Sequence, residues 1–78
     1  MNTNEIELNE RAIELERDRA QIAYRFAVLA LEYERLGQTK TAAHLAGRAY
    51  SVSSYDTVHS HLHTRLTELA KLQDAVSA

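Results

Sequence analysis

Between Asn4 and Leu36 the chain carries neither glycine nor proline, and its apolar residues recur in alternating steps of four and three. Leu8, Ala12, Leu15, Ile22, Phe26, Leu29, Tyr33 and Leu36 hold this seam, with Arg19 as its one charged member. Steps of that kind keep a stripe of side chains on one face of a helix, in the manner of a coiled-coil seam. The pattern predicts a first helix over about residues 4–36, ~50 Å long at 1.5 Å per residue. Asn4 is the expected N-cap, with Glu7 three positions on as in a capping box, and Gly37 the expected C-terminal stop.

A second stripe of Ile13, Ala20, Ala23, Ala27 and Ala30 lies beside the seam. Two stripes on one helix imply more than one neighbour, and the alanines permit a close approach. Thr39 or Thr41 opens a second helix, over about 39–51, with Ala42, Leu45, Ala46 and Ala49 on one face. Gly47 in its interior costs ~1 kcal/mol relative to alanine, so it either marks another close contact or is tolerated. Ser53, Ser54 and Asp56 are candidate caps for a third helix over about 55–76, with Val58, Leu62, Leu66, Leu69, Leu72 and Val76 inward. No β-branched run alternates for long enough to read as a strand. The expected fold class is all-α: one domain of three helices spanning 1–78, in which a long N-terminal helix and a short second helix form an αα-hairpin.

A chain of 78 residues can build one small core, and chains of this size commonly add a disulfide, a metal or a partner. There is no cysteine, which leaves histidine–carboxylate metal sites or association. No apolar run reaches the ~18 residues of a membrane helix. The stretch MNTNEIELNE is acidic and lacks the apolar core of a secretory signal, so a cytoplasmic protein is expected. A formal net charge of −2 gives no general signal for nucleic acid; the first helix is acidic and the middle of the chain mildly basic.

From Phe26 the chain reads F-x2-L-A-x2-Y, then Gly37, then Ala42, Ala46 and Ala49. This resembles a single tetratricopeptide-type helical hairpin, from Phe26 to about Ser54. Phe26 falls on the repeat's aromatic, Leu29-Ala30 on its Leu-Gly, Tyr33 on its tyrosine and Ala42 on the first alanine of helix B. The resemblance implies that small residues of the second helix lie against Phe26, Leu29 and Tyr33. Ala46 stands where the repeat has an aromatic, no proline follows, and one period beyond Phe26 falls on Ser60. A peptide-binding groove takes several repeats, so that activity is not carried over.

In VHSHLHT, His59 and His63 are four apart on one helical face, a spacing that can chelate a transition metal. With no HExxH and no nearby acidic third ligand in the same helix, they are expected to border the apolar stripe, partly exposed, instead; His44 could approach them from helix two. No cofactor is expected. No phosphate loop, nucleophile motif or dinucleotide fingerprint is present, and three helices of this length leave little room for a pocket, so no enzyme is expected. Arg35, Lys40 and Arg48 gather near the hairpin turn and could meet phosphate.

The function expected is that of a protein–protein interaction module: an adaptor, a chaperone-like factor or a small inhibitor of a larger protein machine, of the kind phages and mobile elements encode. It is expected to act as a homodimer, with Leu8, Ala12, Leu15, Arg19, Ile22 and Tyr24 at the interface. The N-terminal seam is left short of cover within one chain, and Arg19 would reach Glu16 or a carboxylate of the facing chain. The alternatives are a small nucleic-acid-associated regulator and a histidine metal-binding helical protein.

Overall fold

A computed structural model describes residues 3–77 and shows three helices in a molecule 64 × 18 × 14 Å. They are α1 (Thr3–Arg35), α2 (Thr39–Val52) and α3 (Thr57–Ser77). The all-α, three-helix architecture is the one expected. α2 lies between the others and packs against both, whereas α1 and α3 meet over a short stretch.

The connections follow from local chemistry. α1 ends in a Schellman-type cap: Gly37 takes φ 81°, Gly37 N–H donates to Glu34 O at 3.0 Å, and Gln38 N–H donates to Tyr33 O at 2.9 Å. Only glycine adopts that left-handed backbone without strain. α3 starts at an aspartate cap, where Val58 N–H donates to Asp56 Oδ1 at 2.9 Å. At the other end the expected cap is corrected, because α1 already includes Thr3 and so holds Asn4 within its first turn.

The core is small-residue packing around one leucine. Ala30, Ala42, Ala46 and Leu66 are fully buried together, with Tyr33, Leu45, Leu62 and Leu69 against them. Alanines on both α1 and α2 let the helix axes approach closely, so the core holds few large side chains. The face that α1 turns to α2 is therefore the alanine stripe of Ala23, Ala27 and Ala30, all buried. This corrects the hairpin contact inferred from the tetratricopeptide resemblance at Leu29, while Tyr33 does pack against the core that holds Ala42 and Ala46. Leu29 is 46 % exposed and Leu36 70 % exposed, while Phe26 and Tyr33 are half-buried at the edge of the α2 contact.

On α3, Leu62, Leu66 and Leu69 turn inward, but Val58, Leu72 and Val76 are exposed. α3 has 21 residues against 14 in α2, so its ends run past the helix that would cover them. His59 takes the inward position at the start of α3 and is buried.

Candidate functional site: the ridge on α1

From Asn4 to Ile22 every residue of α1 is exposed, and the first buried side chain is Ala23. α2 runs back along only the C-terminal part of α1, because its 14 residues span ~21 Å. The N-terminal arm is thus a helix of ~28 Å, tied to the segment before α3 by the Tyr55 hydroxyl, which donates to Glu16 Oε2 at 2.9 Å. Glu16 is engaged there, so the expected pairing with Arg19 is not the one formed.

Along α1 and into the turn after it runs an apolar ridge with a strict seven-residue step: Leu8, Leu15, Ile22, Leu29 and Leu36, exposed by 61, 68, 47, 46 and 70 %. Ile22 precedes buried Ala23 and Leu29 precedes buried Ala30, so the ridge stands about 100° round the helix from the face that α2 covers. No neighbour within the described residues covers it. Among the hollows along it, one is lined by Ala12, Leu15, Glu16 and Arg19 and another by Ile22, Arg25, Phe26 and Leu29.

Of the interface residues expected from sequence, the structure brings Leu8, Leu15 and Ile22 onto this ridge, with Ala12 and Arg19 beside it. Tyr24 is 66 % exposed but lies two positions beyond Ile22, about 200° round the helix, and so belongs to another face. Leu29 and Leu36 fall on the seam read from sequence, and its unbroken step of seven carries the ridge through them, although the tetratricopeptide resemblance set Leu29 against α2.

Arg35, Lys40 and Arg48 each have a partner within the chain. Arg35 pairs with Glu32 at 2.8 Å and Lys40 with Asp74 at 2.9 Å. The Arg48 guanidinium lies 5.4 Å over the Phe26 ring. Lys40 and Arg48 are eight residues apart on α2, about 12 Å along its axis, so the basic side chains do not converge.

The histidines have separate surroundings. His59 is buried, with Nε2 3.6 Å from Asp56 Oδ2 and Nδ1 without a hydrogen-bond partner. His63 stacks on Tyr50, with ring centroids 6.1 Å apart, and its ring rests against Gly47. A Cβ on Gly47 would stand 3.1 Å from His63 Nε2, which makes this glycine a close-contact position. His44 lies on the exposed face of α2. No cluster of three or more candidate metal ligands occurs among the described residues, and no helix there is long and apolar enough to cross a membrane.

Arg65 on α3 donates from both guanidinium arms to Glu34 on α1, at 2.5 and 2.9 Å. The hydrogen bond from Arg65 holds the Glu34 carboxyl below its ordinary value, outweighing the opposing effect of desolvation. Compared with models of protein families, with curated proteins and with solved structures, the chain matches none.

Proposed function

We propose that this chain is a non-enzymatic protein–protein interaction module, an adaptor, chaperone-like factor or small inhibitor, that acts as a homodimer through the α1 ridge. The observation that carries the reading is the exposed row Leu8, Leu15, Ile22, Leu29 and Leu36. Scattered apolar residues are ordinary on a surface, but a contiguous stripe marks a contact site. A lone amphipathic arm is also marginal as a helix in water, and a covering helix would stabilise it. The αα-hairpin serves as the base from which the arm projects, and its likeness to a tetratricopeptide hairpin is one of small-residue packing.

Other assignments draw less support. Glu34, the carboxylate whose titration is shifted, is gripped by Arg65 and is not free to transfer a proton. The basic side chains near the turn do not converge on one patch, and His59 and His63 are packed into different contacts.

The test is capture of partners from cells producing the tagged full chain, with Leu15→Glu alongside. A partner held by the wild type at moderate salt and lost with Leu15→Glu supports the reading. Capture that fades steeply with salt and carries nucleic acid contradicts it.

A further inference from the structure

Charge and shape along the ridge select one occupant and one orientation. We propose that the ridge is covered by the same ridge of a second copy, running antiparallel over the full length of α1. This rests on the homodimer reading above and adds the direction and register of pairing.

The register sets Leu15 of one copy against Phe26 of the other, Ala12 against Leu29, and Arg19 against Ile22. The two hollows are then mates. Leu15 enters the one lined by Ile22, Arg25, Phe26 and Leu29, and the edge of Phe26 meets the one lined by Ala12, Leu15, Glu16 and Arg19. Knobs entering four-residue holes in this way are the packing unit of coiled coils. Each exposed arm thereby covers the C-terminal half of its partner's ridge and is covered in turn.

The flank of the ridge away from α2 carries Arg11, Asp18, Arg25 and Glu32, alternating in sign at seven-residue steps. Antiparallel pairing in this register brings Arg11 opposite Glu32 and Asp18 opposite Arg25, each twice, so every facing pair is of opposite charge. Arg11, Asp18 and Arg25 form no ion pair within the described residues, and the Glu32–Arg35 pair is exposed and open to exchange. A parallel pairing would instead place Arg19 against Arg19 in the seam, where like charges repel.

The chain has no cysteine, so introduced ones report pairing directly. Ala12→Cys and Leu29→Cys chains, one of them tagged for size, are oxidised mildly alone and as a mixture. The expected result is a mixed disulfide that forms in the mixture, with little linkage in either chain alone. Asp18→Arg should weaken dimerisation about tenfold, as two exposed pairs turn repulsive, and Asp18→Arg with Arg25→Asp should restore it. Linkage that is faster within each single variant than in the mixture, or a double exchange that fails to restore dimerisation, overturns the antiparallel register and leaves the interaction module standing. A wild-type chain that is monomeric at tens of micromolar removes the homodimer itself.

Discussion

Arg65 on α3 grips both carboxylate oxygens of Glu34 on α1, and this fork joins two helices that otherwise barely meet. Glu34→Gln should keep the shape and lose the charge. Arg65 is 48 % exposed, so solvent screens the pair and the loss should be about 0.5–1 kcal/mol at pH 7. The folded-state carboxyl titrates below its ordinary value of 4.5. Its contribution is therefore complete above that value and is lost as pH falls from about 4.5 through the folded value. Urea midpoints of wild type and Glu34→Gln should differ at pH 7 and converge as the pH falls below the folded value. A gap that persists at low pH would mean that the fork acts through packing alone.

Ala46 is fully buried with Ala30 and Leu66. Ala46→Leu has no space to fill and should destabilise by about 1–3 kcal/mol through overpacking. Equilibrium unfolding in urea checks this. A neutral result would show that α2 can roll on α1, which the alanine contact forbids.

Gly47 and His63 should be coupled. Replacing glycine by alanine in a helix gains about 1 kcal/mol from propensity, but here the new methyl would press on the His63 ring at 3.1 Å. Gly47→Ala should gain the full propensity term in a His63→Ala background and clearly less in the wild type. Equal gains in a double-mutant cycle would remove the close-contact role of this glycine.

Much of this architecture can be read from residue types and spacing. Gly37 marks the turn because the chain needs a left-handed residue there, and Asp56 opens α3 because its side chain can take the Val58 N–H. The alanine face of α2 followed from its spacing alone. Harder was deciding which of two stripes on α1 meets α2. Leucine and the aromatics dominate any hydrophobic reading, yet the contact went to Ala23, Ala27 and Ala30, because small side chains bring two helices closest. The tetratricopeptide resemblance consequently drew Leu29 toward α2 and away from the exposed ridge. His59 was missed as a core residue for a related reason. Its inward place follows from where α3 begins on α2, a long-range relation that no local spacing encodes.

The arm should depend on its cover. With Leu15 68 % exposed in the single chain, Leu15→Glu costs little within that chain and acts only through whatever sits on the ridge. Light scattering after gel filtration, on wild type and Leu15→Glu at tens of micromolar, therefore tests the contact role of α1 most directly. The account predicts a wild-type mass of two chains and a Leu15→Glu mass of one, with lower helicity as the uncovered arm frays. A wild-type mass of one chain with full helicity kept after removal of residues 1–18, or a dimer indifferent to Leu15→Glu, would contradict it.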